Sequence, residues 1–599
     1  MTATLKSFRN RVWKSPVTDT TEVHTLVSAG APDQIASILA ARGMPGDEVS
    51  NYLAPSIREA LPNPSFFNDM DAAADRIVQA ITKGEKIAIW SDYDVDGATS
   101  GAILGRFLRD CGVADYEIYI PDRIAEGYGP NTAGLLALKE RGADLVCILD
   151  SGTVAIDPLT EAHAAGMEIV VIDHHAAEDT LPPAVAIVNP NRLDQKPGFG
   201  HVCAAGMTFI AVIAANMRLR QMGYFDGQDG RPESQPDLMS YLDLVALGTV
   251  CDVVPLTGLN RAFVARGLPY LSARALPGVR ALAEVAACQA EIDAVACGFA
   301  LGPRINAGGR IGDSSAGVRL LLETDPQRAE EQAEELNALN VERQAMERDC
   351  TAQAIAQIEE QQFIAGETRR LAVAIVDAHE GIVGISAARV KESFDVPAFV
   401  LAPTPEGTLK GSGRSVSGFD LGAAIIAARK AGLLVKGGGH AMAGGLTIEK
   451  DKVDDFIAFV DAYIAKSDYA QNGVVSRVDA EFPINKARVD VVEALGSMAP
   501  FGMGNPTPRV VLQDVYLADV RVLKEKHLKC FFEHPKYREN GKKIQALIWN
   551  AVDTPFGDAL LAAKGERIDA LGALEINEWK NRKSIQMKLD DIRHTVIAA

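Results

Sequence analysis

Lys86-Ile-Ala-Ile-Trp90 runs directly into Ser91-Asp92-Tyr93-Asp94-Val95-Asp96-Gly97, and this stretch decides the fold. A short apolar run followed by a polar turn reads as a buried strand that ends in carboxylates. The same pattern recurs twice: Leu145-Val-Cys-Ile-Leu149 ends in Asp150, and Ile169-Val-Val-Ile172 ends in Asp173-His174-His175. From about residue 70 strand and helix patterns alternate, which implies βαβ units and a parallel sheet. In such a sheet the ligand site lies beyond the carboxyl ends of the strands. Three strands then deliver carboxylates and imidazoles to one rim, the layout of a metal-dependent hydrolase.

Outward from this core the chain divides by pattern. Its 599 residues exceed one hydrophobic core, so three or four domains are expected. Residues 1–65 read as an N-terminal region with a helix over Asp33 to Ala41, and 66–324 as the parallel-sheet domain. Its first crossover helix is expected over Ala98 to Cys111. Residues 325–362 lack Gly and Pro after Pro326 and are dense in Ala, Glu, Gln and Leu, which predicts one long connecting helix. A second α/β domain is expected over 363–466, with a strand from Leu371 and a helix near Val453 to Ile464. Residues 467–599 are β-rich. Five runs (509–522, 528–532, 544–549, 567–574 and 584–593) suit a small barrel of the OB type.

Composition narrows the function. Hydrophobic content of 47% and charged content of 23% are ordinary for globular domains, and the apolar runs are far short of a membrane span. The N-terminal residues show no apolar core of a signal peptide. Eight scattered cysteines without a CxxC pair fit a reducing cytoplasm, not a zinc or disulfide framework. A net charge of -19 argues against nonspecific nucleic-acid binding, since phosphate contacts need Lys and Arg. Charge is local, however, and a metal site is itself acidic. Arg521 to Trp549 carries eight Lys/Arg against three Asp/Glu, a basic stretch whose ordinary explanation is a solvated strand surface.

Asp92, Asp94 and Asp96 alternate, but Gly97 signals a turn, so only some of them are expected to converge. A calcium loop of the EF-hand type fails, because the glycine comes too early and no Glu follows at the twelfth position. Two adjacent histidines after Asp173 point to metal ligation, with Asp173 placed to orient an imidazole. Asp252 follows the apolar stretch Leu242 to Val250 and interrupts it before Val253, where a carboxylate is costly unless paired or bound to metal. Mixed Asp and His donors suit Mn²⁺, and Mg²⁺ with fewer direct contacts. Such a set can hold two cations. Gly302-Pro303-Arg304-Ile305-Asn306-Ala307-Gly308-Gly309-Arg310 reads as a flexible phosphate-binding segment. Gly411-Ser412-Gly413-Arg414-Ser415 and Gly437 to Gly445 read as small-residue loops open to backbone contact with phosphate. Tight turns explain any one such loop; their number beside a two-metal site favours a phosphodiester substrate.

Asp92 to Gly97, Asp150, Asp173-His-His175 and Gly248-Thr-Val-Cys-Asp252 together resemble the DHH phosphoesterase superfamily. With Arg304 to Arg310, Gly411 to Ser415, Gly439-His-Ala-Met-Ala-Gly444 and Phe501-Gly-Met-Gly-Asn-Pro506, the set resembles the bacterial RecJ family of single-stranded-DNA exonucleases. The resemblance implies an α/β fold: a DHH domain and a DHH-associated nucleic-acid-binding domain joined by the long helix, then an OB-type barrel. It implies 5′→3′ hydrolysis of single-stranded DNA to nucleoside 5′-monophosphates by a two-metal mechanism with Mn²⁺ or Mg²⁺, in recombination and repair. Asp94, Asp96, Asp150, His174 and Asp252 would be ligands. Asp92 and His175 would belong to the same centre, and Asp173 would support the histidines. Arg304, Asn306, Arg310, Arg389, Ser412, Arg414, Gly439 and His440 would contact DNA, and Phe531, Phe532 and Trp549 are aromatic candidates for base stacking or for the barrel core. Single-strand-binding protein, a RecQ-type helicase and a cytoplasmic monomer follow by the same route. Ser151-Gly152 after Asp150, and Cys251, depart from the Asn-Gly and Ala common in relatives. Other DHH relatives cut short oligonucleotides or cyclic dinucleotides, but they are usually shorter and lack the barrel. Inactive replication scaffolds of this superfamily have lost ligands that this chain keeps.

Overall fold

Five parallel strands organise the first part of the chain: β1 (Ile87–Ser91), β2 (Tyr116–Tyr119), β3 (Leu145–Leu149), β4 (Glu168–Ile172) and β5 (Ala186–Val188), in the order β2-β1-β3-β4-β5. The computed structural model describes residues 6–595 except 124, 229, 290, 366–369, 537–542 and 580–581. Part of the basic stretch and the junction before the second α/β domain therefore lie outside the described residues. Every residue of β1 and β3 is buried, as a sheet covered on both faces requires. Ile87, Ile89, Leu145 and Cys147 point into one core, and Ala88, Trp90, Val146 and Ile148 into the other, the alternation of the pleat.

The helices that frame the site are α1 (Val95–Asp110), α2 (Ala204–Gln221), α3 (Leu242–Cys251) and α4 (Gly302–Ile311). Helix α1 begins three residues before the expected Ala98. The Asp94 carboxylate accepts the Gly97 N–H at 3.0 Å and so caps the helix, which puts Asp96 and Gly97 inside its first turn. Segment 302–310 is helix rather than flexible loop. Its glycines serve close packing: a Cβ on Gly309 would lie 2.9 Å from Tyr93 Cβ, and one on Gly308 2.7 Å from the Asp313 carbonyl oxygen.

The chain divides into two compact units. Ala54–Arg343 and Ala499–Pro506 form one; Met1–Leu53, Gln344–Met498 and Thr507–Ala599 form the other. The division falls within the long helix α5 (Pro326–Ala365). In the second unit β6 (Ala372–Ile375), β7 (Ala398–Pro403), β8 (Leu409–Arg414), β9 (Lys436–His440) and β10 (Ala443–Ile448) make a sheet in the order β9-β10-β8-β7-β6. The two small-residue segments expected as loops are thus paired strands. Their inward glycines admit the core: a Cβ on Gly413 would meet Phe399 at 2.4 Å, and one on Gly437 would meet Ile425 at 2.9 Å.

The C-terminal strands β11 (Val510–Leu523), β12 (His527–Glu533), β13 (Lys543–Ile548), β14 (Arg567–Trp579) and β15 (Arg582–His594) close in the ring β11-β12-β13-β15-β14-β11. A helix, Pro555–Ala562, bridges β13 and β14. This is an OB-type barrel. Phe532 fills its core, whereas Phe531 faces outward under Arg521, 4.8 Å from ring centroid to guanidinium carbon, and Trp549 is exposed against His527.

Candidate metal centre and cavity

The carboxyl ends of β1, β3, β4 and β5 bring their following residues together. Asp92 follows β1, Asp150 follows β3, and Asp173, His174 and His175 follow β4. Asp96 reaches the same place from the first turn of α1, and Asp252 caps the C-terminus of α3. The His174 Nε2 lies 3.3 Å from Asp150 Oδ1 and 3.7 Å from both Asp96 Oδ2 and Asp252 Oδ2. Three donor sets each converge within 4.8 Å: Asp92, Asp94 and Asp150; Asp96, His174 and Asp252; and Asp150, His174 and His175. Seven of the eight residues expected at the centre are therefore neighbours, and the eighth, Asp173, joins them through His175 Nδ1 at 2.8 Å.

Their surroundings differ. Asp96 is fully ordered by backbone: its two oxygens accept the Ala204 and Ala205 N–H groups at 2.7 and 2.9 Å, at the N-terminus of α2. Asp173 is equally tied. Its Oδ1 accepts the His174 and His175 amides at 2.7 and 3.1 Å and faces His175 Nδ1 at 2.8 Å, and its Oδ2 accepts the Thr153 amide at 3.0 Å. Burial pushes the Asp173 carboxyl up, but the hydrogen bonds and charge of His175 outweigh it and hold it below the ordinary carboxylate range. Reciprocally, burial opposes a charged His175, yet Asp173 keeps its pKa raised. His175 Nε2 lies 3.0 Å from the Tyr128 hydroxyl, which donates to the Asp150 carbonyl at 2.8 Å. A doubly protonated imidazole satisfies this network: Nδ1–H to Asp173, Nε2–H to Tyr128.

Asp92, Asp150 and Asp252 are less well supported. Asp92 Oδ1, Asp150 Oδ1 and Asp252 Oδ2 are buried and make no hydrogen bond. Burial and the Asp94 charge push Asp92 up to about 8, and burial with Asp96 and Asp94 pushes Asp252 up to about 9. Asp150 is raised by burial and by its acidic neighbours. Unpaired buried carboxylates are costly, and a divalent cation is the partner that satisfies oxygens of this kind together with imidazole. The donor set thus fits Mn²⁺ or Mg²⁺.

Beside these residues lies a cavity of about 270 Å³ lined by Tyr93, Asp94, Arg123, Cys251, Asp252, Asn306 and Arg310. Arg123 sits over the Tyr93 ring at 5.1 Å. Burial and the nearby Arg123 lower the Arg310 pKa to about 10, still charged at neutral pH. Asn306 and Arg310 are four residues apart on α4 and share a face. Arg304 is on the other side, where its guanidinium donates to Asn337 Oδ1 at 3.0 Å and to the Ala300 carbonyl at 2.7 Å. In the second unit Arg389 pairs with Glu347 and Glu392 at 3.2 and 3.1 Å. Ser412 and Arg414 share a face of β8, and Arg414 donates to Ser412 Oγ at 2.8 Å. Through β10 the register aligns Arg414 with Ala443 and Ala443 with His440, so that Arg414 and His440 lie on one face. Gly439, one residue before His440, is on the opposite face.

The sequence reading missed several parts of the centre. Tyr128 and Arg123 sit in a loop without periodicity. Asn189 donates to Thr153 Oγ1 at 2.8 Å and to the His175 carbonyl at 2.9 Å, and Asn191 donates to the His174 carbonyl at 2.5 Å. Both follow β5, a strand of three residues, and Asn-Pro-Asn after Ala-Ile-Val was their only signal.

Three family models match the chain: the DHH family N-terminal domain over residues 86–249, the DHHA1 domain over 368–466 and the RecJ OB domain over 478–591. The single-stranded-DNA-specific exonuclease RecJ of Dickeya dadantii is 35% identical over 531 residues, covering 87% of this chain and 89% of the relative. The Escherichia coli protein of that name is 33% identical over 583 residues, covering 94% and 96%. The crystal structure of Thermus thermophilus RecJ in complex with Mn²⁺ superposes with a TM-score of 0.78 at 27% identity, covering 100% of this chain and 81% of that one. Its Mg²⁺ complex superposes with a TM-score of 0.71 at 25% identity, covering 98% and 79%. The carboxylate and imidazole centre at the rim of the parallel sheet, the closed barrel and these full-length matches agree: the chain belongs to the RecJ family of DHH proteins.

Proposed function

We propose that this chain is a metal-dependent exonuclease specific for single-stranded DNA, degrading it 5′→3′ to nucleoside 5′-monophosphates in recombination and repair. The observation that carries the reading is the juxtaposition of unpaired buried carboxylates with a cavity lined by Arg123, Asn306 and Arg310. Asp94, Asp96, Asp150, His174 and Asp252 are the proposed ligands, with Asp92 and His175 in the same centre. Divalent cations, when bound, polarise a phosphoryl oxygen and make water more acidic. Arg123 and Arg310 draw the phosphate into the cavity and offset charge that develops on its oxygens. Asp173 keeps His175 protonated, so that Nε2–H can be offered to an oxygen of the scissile phosphate in place of Tyr128. The cavity of about 270 Å³ is proposed to receive the end of one strand. On the second unit, Arg414, Ser412 and His440 are proposed to hold backbone phosphates, and Phe531 and Trp549 to stack on bases. Arg389, held by carboxylates of its own, is a proposed contact on family membership alone, whereas Arg304, tied to Asn337 and the Ala300 carbonyl, is proposed to brace α4 and not to touch DNA.

Family membership supports single-strand-binding protein and a RecQ-type helicase as partners, and a monomer. Eight free cysteines fit a reducing cytoplasm. Among the described residues no helix is long and apolar enough to cross a membrane.

The test is a time course on single-stranded oligonucleotides labelled at either end, with Mn²⁺, Mg²⁺ or EDTA. Immediate mononucleotide release from the 5′ end alone, blocked by EDTA and absent on blunt duplex, is the expected result. Hydrolysis of dinucleotides without cleavage of longer strands would overturn it.

A further inference from the structure

Asp252 is followed by strain. Val253 has φ 61°, a left-handed conformation that is an outlier for a β-branched residue, and its side chain is 64% exposed. Strain of this kind persists only where the surroundings over-determine it. Here they do. The Leu256 N–H donates to the Met503 carbonyl at 2.7 Å, and buried Asn260 donates to the Pro255 carbonyl at 3.0 Å and the His201 carbonyl at 2.6 Å.

Met503 belongs to Ala499–Pro506, which joins the metal-bearing unit although its sequence neighbours on both sides belong to the other. Arg261, 2% exposed, donates to the Ala499 carbonyl at 2.7 Å and the Pro500 carbonyl at 3.4 Å. Asn505, 3% exposed, closes the segment on itself. Its Nδ2 donates to the Pro500 carbonyl at 2.8 Å, and its backbone pairs with Gly502 at 3.0 and 3.2 Å. The two glycines allow this approach: a Cβ on Gly502 would lie 2.7 Å from Leu256 Cδ1, and one on Gly504 3.0 Å from Pro255 Cβ.

We infer that Ala499–Pro506 is a positioning element of the metal centre: clamped by Arg261 and Asn505, it fixes the Val253–Leu256 turn and thereby the carboxylate of Asp252. The inference rests on the metal-centre reading proposed above. Asp252 makes no hydrogen bond through Oδ2, so the backbone on either side is what aims it. Supporting groups around ligands of this kind change metal affinity by about 10–100-fold when removed.

The experiment titrates the full-length protein with Mn²⁺ and follows the free-ion electron paramagnetic resonance signal, comparing wild type with Arg261→Ala, Arg261→Lys and Asn505→Ala. Expected are a roughly tenfold or greater weakening of one Mn²⁺ site in both alanine variants, a partial recovery with Arg261→Lys, and a kcat restored by excess Mn²⁺ while KM for the oligonucleotide moves little. Alanine variants that keep wild-type melting behaviour and wild-type Mn²⁺ affinity overturn the inference. Should the alanine variants fail to fold, Asn505→Asp, isosteric but lacking the Nδ2 donor, decides by the same readout. A wild-type protein that binds no Mn²⁺ would instead strike the metal-centre reading itself.

Discussion

Asp173 Oδ1 lies 2.8 Å from Nδ1 of His175, and the same oxygen accepts both histidine backbone amides. One carboxylate therefore sets the charge of one imidazole and the backbone course of two. Asp173→Asn preserves the shape and removes the charge, so the His175 pKa falls back toward about 6.5. A kcat loss on the order of 10²–10⁴-fold is expected, with the alkaline limb of the rate profile moved to lower pH. An unshifted profile would remove His175 from the chemistry. Because Asp173 is held below its ordinary range, its contribution to stability is present above about pH 4 and lost as pH falls further.

Asp94 serves two purposes that mutagenesis can separate. Asp94→Ala loses the cap of α1, about 1 kcal/mol, and a proposed ligand; Asp94→Asn keeps a capping oxygen. Both are expected to abolish cleavage and leave DNA binding largely intact in filter-binding assays, but only the alanine variant melts lower. Cleavage near the wild-type rate in Asp94→Asn contradicts the ligand assignment.

Metal binding should be coupled to pH. In the metal-free protein Asp92 titrates near 8 and Asp252 near 9, above their unfolded value of about 3.9. Their contribution to stability is complete below about pH 4 and disappears as pH rises through 8 and 9. Thermal melting in EDTA is therefore expected to fall from pH 6 to pH 9, and Mn²⁺ to reverse the trend. Calorimetry in two buffers of different ionisation enthalpy should show protons released on binding and affinity rising with pH. Affinity independent of pH would refute the coupling.

Arg310 and Arg304 make opposite predictions from the same motif. Arg310→Ala should weaken single-stranded DNA binding and lower the salt slope by about 0.7, the value for one phosphate on a single strand. Arg304→Ala, which loses Asn337 and the Ala300 carbonyl, should lower stability and leave the slope unchanged. Identical slopes in both variants would dissolve the distinction.

Gly248 has no room for a side chain. A Cβ there would lie 2.4 Å from Thr99 Oγ1, 2.7 Å from Ala205 Cβ and 3.1 Å from Asp96 Oδ1. Gly248→Ala should cost about 1–3 kcal/mol in denaturant titration and weaken Mn²⁺ binding by moving α3 away from α1. A neutral substitution would mean that the helices separate freely.

The strand-end carboxylates were legible because a parallel sheet sends every strand end to one rim, so three apolar runs sufficed to assemble Asp92, Asp150 and Asp173. The long helix was legible from composition, and the barrel from spacing. Segment 302–310 misled because glycine reads as freedom in sequence, while Gly308 and Gly309 are there for contact. That error hid the helical geometry that parts Arg304 from Asn306 and Arg310. Tyr128 and Asn189 act through hydrogen bonds between loops, which leave no periodic trace.

The docking of Ala499–Pro506 onto the metal-bearing unit also has a consequence for synthesis. All eight residues of the centre emerge from the ribosome before Arg343, but the segment that steadies Asp252 comes much later. At about 5–20 residues per second, translation from Arg343 to Pro506 takes on the order of ten seconds or more. Through that interval the nascent chain carries an unfinished centre beside the messenger that encodes it, and the centre is completed only while the barrel domain is itself being made.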